Sequence, residues 1–355
     1  MEVKGGKNVN DWLDVLAKEK KNMGKGEKTD IVFCLLKPQE EKFYGELKKF
    51  VFLEFNCASQ IARRKLLSKN NKGAMSAASK IVMQMNVKNG HPLWTVLNDH
   101  PAWRENTVAV GGLANSKGKK GSTLAFSGTI NQDLNSYFSD CKQIKSKEDD
   151  AKALYAGIFT QWLQNWFMNN NKKLPRVIVV YREGLNEVQA RHRMEEEIIG
   201  MHQTIEKVRA KTKQPEYKPT IVYILVNKKP NSRIFEGDNK GKNQSFCNPE
   251  PGSIIFEDLS QGFKEFHLAS ATVREGTCTP VSFKIGYENN PDFPLDAIAE
   301  LTYNQTYCYY NWTGSVRVPA TIQNANKLAK LYSEIGDELK TAEKNSDLKS
   351  KLFYL

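Results

Sequence analysis

The sequence predicts an α/β protein built on a mixed sheet with helices on its faces. Three observations carry this reading. Two continuous apolar runs, 176–181 and 220–226, read as strands buried at a sheet centre, with a helical stretch at about 186–210 between them. A turn, Lys117-Gly118-Lys119-Lys120-Gly121, separates the apolar segments 107–113 and 122–130 and predicts an antiparallel hairpin. Strand-like and helix-like runs alternate before that, which predicts a smaller α/β unit closing near residue 100.

Residues 1–29 are polar and rich in Lys and Gly, around one apolar cluster at Trp12-Leu13 and Val15-Leu16. The run 31–36 reads as a strand, 40–50 as a helix and 51–55 as a second apolar run. A helix over 74–87 stops at Asn89-Gly90, a good C-terminal signal. Leu154, Ile158, Trp162 and Trp166 recur at helical spacing and predict a long helix over about 149–168. Shorter strands follow at 253–257, 263–270 and 280–287, then helices near 294–308 and 321–340.

The 355 residues leave room for one to three domains, and 40% hydrophobic with 26% charged residues excludes a disordered chain or a coiled coil. Lys and Arg number 52 against 40 Asp and Glu, a formal charge of +12. That surplus favours a polyanionic partner, nucleic acid before anionic membrane. No run of 18 apolar residues occurs, which argues against a transmembrane helix. The start carries no apolar signal region, and the six cysteines show no C-x-x-C spacing. Free thiols in a reducing compartment follow, so the chain reads as intracellular, in nucleus or cytoplasm.

Between 51 and 100, basic side chains outnumber acidic ones seven to two. Lys80, Gln84 and Lys88 share one face of the predicted helix, and Tyr44 and Lys48 lie four apart on the preceding one. With Gln60, these would supply the donors that a terminal phosphate requires. A solvated basic helix face accounts for the same spacing. Glu183 lies where a buried strand turns into a helix, a common place for a functional carboxylate. Lys228, Lys229 and Arg233 leave the next strand and would track a sugar-phosphate backbone, or simply form a charged loop tip.

The stretch Tyr309-Tyr310-Asn311-Trp312-Thr313-Gly314-Ser315-Val316-Arg317-Val318-Pro319-Ala320 is followed by Ala325-Asn326-Lys327-Leu328-Ala329 and by a terminal Phe353-Tyr354-Leu355. Together these closely resemble the C-terminus of Piwi-clade Argonaute proteins. Tyr181-Arg182-Glu183-Gly184 resembles that family's Tyr-Arg-Asp-Gly element, and residues 226–235 resemble its Val-x-Lys-Arg-x-x-x-Arg-x-Phe element. Pro251-Gly252 is similar to its Pro-Gly-Thr-Val turn, and Met85-Asn86-Val87-Lys88 to the end of its MID domain. The resemblance runs from about residue 10 to Leu355.

What the resemblance implies is a Rossmann-like MID domain over 1–103, short at its start, packed on an RNase H-like PIWI domain over 104–355. The family's N-terminal and PAZ domains are expected to be missing, leaving a guide's 3′ end without its usual anchor. Tyr44, Lys48, Gln60, Gln84 and Lys88 fall on the family's 5′-phosphate ligands. A Mg²⁺ ion is implied there, held by Gln84 and the Leu355 carboxylate. Lys228, Lys229, Arg233 and Arg317 are the expected backbone contacts. A small guide RNA, a target RNA and silencing or RNA-processing proteins are the implied partners, with no membrane.

The family's catalytic Asp-Glu-Asp-His/Asp tetrad, which holds two Mg²⁺ ions, transfers poorly. Its first position falls on Gly111, Gly112 or Leu113, best on Leu113, its second on Glu148, its third on Glu183 and its fourth on Lys284. A lysine cannot ligate Mg²⁺ and would repel it, so Lys284 is expected to sit near Glu183 and neutralise it. The expected protein binds a guide, does not cut, needs no catalytic metal and acts through partners. Two readings compete: a residual metal-dependent RNA endonuclease using Glu148 and Glu183, and a scaffold subunit that recruits an RNA-processing effector.

Overall fold

The structure, a computed structural model, describes residues 8–24, 26–68, 70–118, 121–144, 151–183, 187–238, 245–256, 264–335 and 346–355. Helix α1 (Val9–Asn22) begins at Asn8, whose side chain accepts from the Asn10 amide while Asp11 accepts from the Asn8 amide. Strand β1 (Ile31–Leu36) lies parallel to β2 (Ala58–Arg63), with Ile31 opposite Ala58. Between them a 3-10 turn at Pro38–Phe43 feeds α2 (Tyr44–Phe50). The path then stays helical through a π turn at Val51–Phe55, until Asn56 ends it at φ 56°. The apolar run 51–55 is therefore helical, and the strand follows it. Ser59 and Gln60 are polar and buried there, which masks β2 from an apolar-pattern reading.

Helices α3 (Ala74–Lys88) and α4 (Pro101–Glu105) lead to the main sheet. Its hairpin is β3 (Val108–Gly118) and β4 (Gly121–Thr129), followed by β5 (Tyr137–Ile144). Then come α5 (Ala151–Asn169), β6 (Val177–Glu183), α6 (Glu187–Thr212) and β7 (Thr220–Asn227). A short hairpin of β8 (Glu236–Asp238) and β9 (Ser245–Cys247) precedes β10 (Ser253–Phe256), β11 (Glu265–Ala269) and β12 (Val281–Glu288). The chain ends in α7 (Leu295–Thr306), α8 (Ala320–Ile335) and α9 (Ser346–Lys349). The eight strands of the main sheet run β10-β11-β12-β7-β6-β3-β4-β5, with β3, β6 and β7 parallel and the other pairings antiparallel.

Parallel strands at a sheet centre must be covered on both sides, and they are. Helices α5 and α6 cover one face through Phe159, Trp162, Met201 and Ile205, packed on Phe126, Ile178, Val180 and Tyr223. Helices α7 and α8 cover the other through Ile298, Leu301 and Ile322, packed on Val179, Tyr181 and Phe283. Gly112 makes the second contact possible. A Cβ there would stand 2.5 Å from the backbone of Thr321 and Ile322, so α8 rests directly on β3.

A third apolar cluster joins the small parallel pair to the main sheet. Phe52, Ala58 and Val87 meet Ala114, Ala125, Ala325 and Leu328, and the terminal Phe353 and Tyr354 fill the gap. Phe353 stacks on Phe52 with ring centroids 5.1 Å apart, and the Tyr354 hydroxyl reaches Ser139 Oγ at 2.7 Å. The unforeseen strand β5 owes its burial to this tail and to α9, where Lys349 pairs with Asp140 at 3.1 Å.

One buried ion pair ties the central strands to α6. Arg182 Nε donates to Glu197 Oε1 at 2.9 Å, and both side chains are fully buried. Tyr223 donates to Glu197 Oε2 at 2.6 Å, and Arg182 also bonds Asn115 Oδ1 at 3.2 Å. Removing one partner strands a buried charge, at a cost of about 3–5 kcal/mol. We predict that Glu197→Gln lowers the unfolding free energy by that amount, read as a lower urea midpoint at unchanged slope, whereas Arg182→Met with Glu197→Leu recovers much of the loss. Equal midpoints for Glu197→Gln and wild type would contradict this.

Candidate nucleic-acid interface

Helix α2 places Tyr44 and Lys48 one turn apart, pointing at the seam between the small sheet and the C-terminal tail. Strand β2 adds Ser59, Gln60 and Ile61 from the side, and α3 adds Gln84 and Lys88. Asn311, from the loop before α8, Lys327 of α8 and Leu355 close the ring. The half-open cavity has a volume of about 190 Å³, room for several water molecules or a small anion. Tyr44, Lys48, Gln60, Gln84, Lys88 and Leu355, all expected from the sequence, line it, whereas Lys80 does not. Asn311 and Lys327, which the sequence marks only as members of longer C-terminal motifs, line the cavity too.

The hydrogen bonds form a chain across the cavity floor. Lys88 Nζ donates to the Ser59 carbonyl and to Gln60 Oε1, each at 2.8 Å. Gln60 Nε2 donates to Gln84 Oε1 at 2.9 Å, and Gln84 Nε2 donates to Asn311 Oδ1. Lys48 Nζ donates to the Tyr44 hydroxyl and the Tyr354 carbonyl, both at 3.3 Å. Lys80, expected on the same helix face, instead lies over the Trp312 ring with its ammonium 5.1 Å from the centroid.

Among the described residues, no Asp or Glu side chain lines this space. Lys48 and Lys88 are 5% and 3% exposed, so burial penalises their charged forms. Burial pushes Lys48 down to about 8, against a small opposing pull from Glu334. Burial takes Lys88 well below the usual lysine value, and the Lys48 ammonium adds to the drop. Burial raises the Tyr44 phenol, keeping it a neutral donor. Two desolvated lysines, with the Leu355 carboxylate as the one acidic group among the described lining residues, make a site that an added anion would stabilise.

A second centre forms around Glu183, at the end of β6. Its Oε1 meets the Lys228 ammonium, and its Oε2 accepts from Asn326 Nδ2 of α8 at 2.7 Å. This corrects the expectation for Lys284. In the sheet register Lys284 lies opposite Leu225, in line with Arg182 and one residue out of phase with Glu183. Lys228 takes the neutralising place because it follows β7, the strand hydrogen-bonded to β6.

Leu113 is fully buried among Leu124, Phe126 and Trp162, and an Asp at Gly112 would strike the backbone of α8. Glu148 lies outside the described residues. Among the described residues no three His, Cys, Asp or Glu side chains gather as a metal site. The other expected backbone contacts cluster nearby. Arg317 donates to the carbonyls of Lys228 at 2.7 Å and Thr279 at 3.1 Å, Arg233 to that of Ser232 at 2.9 Å, and Lys229 is exposed. Arg317 and Arg233 are thus held by main-chain carbonyls while remaining exposed. None of the helices among the described residues is long and apolar enough to cross a membrane.

Comparison with known proteins matches this geometry to a family. The model of the Piwi domain matches residues 30–335. The chain is 30% identical over 328 residues to Piwi-like protein 1 of Gallus gallus, covering 92% of this chain and 36% of that one. It is likewise 30% identical over 334 residues to protein argonaute-3 of Drosophila melanogaster, covering 92% and 35%. The chain thus spans about a third of the length of these relatives. In fold it matches the crystal structure of Drosophila Piwi with a TM-score of 0.75 at 24% identity, covering 98% of this chain and 44% of that one. The Kluyveromyces polysporus Argonaute crystallised with a guide RNA matches at 0.79 and 18% identity, covering 96% and 43%. With a family model over most of its length and its mixed α/β sheet in the arrangement of Argonaute C-terminal lobes, the chain belongs to the Piwi domain family.

Proposed function

We propose that this chain binds a small guide RNA by its 5′ phosphate and does not cut the paired target. The supporting observation is the cavity of Tyr44, Lys48, Gln60, Gln84 and Lys88, joined by Asn311 and Lys327 and free of Asp and Glu side chains. A terminal phosphate brings the negative charge that two buried lysines lack, and its oxygens accept from ammonium, amide and phenol donors at once. The four cations Lys228, Lys229, Arg233 and Arg317 would follow the RNA backbone, with a target RNA and effector proteins as further partners. The division into a MID-like unit over 1–103 and a PIWI unit over 104–355 is part of the same proposal.

A Mg²⁺ ion fits the oxygen donors available. The Leu355 carboxylate, Gln84 Oε1 and Asn311 Oδ1 all border the cavity, and Mg²⁺ prefers such ligands with phosphate oxygens and water. The ion would offset phosphate charge. Gln84 Oε1 and Asn311 Oδ1 would first have to give up their bonds from Gln60 and Gln84 Nε2.

The absence of cutting is argued from Glu183. Two-metal hydrolysis needs several carboxylate oxygens around both ions. Here one carboxylate is matched by the ammonium of Lys228 and the amide of Asn326. Displacing Lys228 would still leave no cluster of three ligating side chains among the described residues.

Three outcomes are expected. RNA with a 5′ phosphate binds at least about tenfold tighter than its 5′-hydroxyl counterpart, the equivalent of one charge-assisted hydrogen bond. The preference falls in Lys48→Met and Lys88→Met and weakens when EDTA replaces Mg²⁺, as read by fluorescence anisotropy. Equal binding of the two RNAs would sink the proposal. Affinity also drops as pH rises from 7 to 9. Free Lys48 loses its proton near 8, whereas a bound dianion holds it, so binding takes up a proton at the higher pH. The loss approaches about tenfold per unit, and the phosphate itself, with a second pKa of about 6, is already doubly charged. Calorimetry in buffers of different ionisation enthalpy reads the uptake directly. Finally, guide-loaded protein with Mg²⁺ or Mn²⁺ yields no more target cleavage than the Glu183→Ala variant; a clear excess of product would restore the nuclease reading.

A further inference from the structure

Trp312 lies outside the cavity, one residue beyond Asn311, and is 46% exposed. Trp162 and Trp166 are buried and Trp12, Trp94 and Trp103 are half-buried, so Trp312 is the one exposed tryptophan among the described residues. Leaving so large a ring in water is costly, because tryptophan brings some 150–250 Å² of mostly apolar surface. The Lys80 ammonium stands 5.1 Å from the ring centroid. A cation–π contact at an exposed site is weak, too little to explain the exposure.

The ring is nonetheless held in place. A Cβ on Gly314 would stand 3.1 Å from the indole Nε1, so the loop turns tightly beneath it. Lys80 lies one turn from Gln84 and two from Lys88 on α3, and so continues the line of polar groups out of the cavity. A small cleft lined by Lys80, Met83, Tyr310, Asn311, Trp312 and Thr313 shares Asn311 with the cavity. An aromatic face, a cation and a terminal-anion site thus lie in sequence along one surface. Single-stranded nucleic acid presents a terminal phosphate, a flat base and a further phosphate as close neighbours, and stacking on an aromatic ring tolerates any base.

We propose that Trp312 is a stacking platform for a nucleobase within the first few nucleotides of the strand whose 5′ phosphate enters the cavity, with Lys80 meeting the adjoining backbone phosphate. This rests on the function proposed above. The same arrangement would recognise the base of RNA or single-stranded DNA.

The test uses 5′-phosphorylated RNAs carrying 2-aminopurine singly at nucleotides one to four. One of these positions is expected to lose its emission on binding, and Trp312 emission to be quenched in parallel. Trp312→Ala should weaken binding roughly 5- to 100-fold and restore the 2-aminopurine signal, while Trp312→Phe keeps most of the affinity. Lys80→Met should reduce the salt slope by about one ion. The thermal midpoint of Trp312→Ala reports whether it folds. If the wild type prefers 5′-phosphate RNA but Trp312→Ala changes neither affinity nor emission, the platform is wrong and the phosphate reading stands. If the wild type shows no such preference, both fall together.

Discussion

Burial of the C-terminal aromatic pair fixes the relation between the two sheets, and the candidate site depends on that relation. Phe353 stacks on Phe52 of the small unit while Tyr354 reaches Ser139 of the main sheet. Each buried aromatic contributes about 1.5–3 kcal/mol by leaving water. The Tyr354 carbonyl then accepts from Lys48, and Leu355 becomes part of the cavity wall. A two-strand parallel sheet is too small to hold residues from α2, β2 and α3 in place by itself. The apolar seam supplies the missing rigidity, and the polar cavity forms at its edge.

The two centres of the molecule show opposite solutions to charge. In the cavity, Lys48 and Lys88 are withdrawn from water without a carboxylate side chain beside them, a cost that the fold bears until an anion arrives. At Glu183 a carboxylate is already matched on both oxygens by Lys228 and Asn326. The first is poised to bind charge. The second is satisfied.

The strongly periodic parts of the sequence were readable, and the reasons for the failures are local. Continuous apolar strands such as β6 and β7, and a helix with Trp162 and Trp166 one turn apart, announce themselves because both faces or one stripe must be buried. Strands β2 and β5 did not, because Ser59, Gln60, Ser139 and Asp140 are polar groups buried by partners distant in the chain. The phosphate-type ligands were found from helical spacing with the family resemblance. Lys327 was missed because a lysine on α8 looks like any solvated helix residue until the tail brings the cavity to it. Lys284 was placed beside Glu183 because strand alternation does not reveal which neighbour's register it joins. That depends on the pairing of β12 with β7, which local sequence does not encode.

Helix α8 rests on Gly112 with no side chain between them, and it carries Asn326 and Lys327 side by side. Neighbouring residues on a helix point about 100° apart, so the first can face Glu183 while the second faces the lysine cavity. One rigid rod therefore indexes both centres. Sliding or rolling it by even a fraction of a turn would detune the two together, which leaves exchange of individual side chains as the only independent adjustment for either.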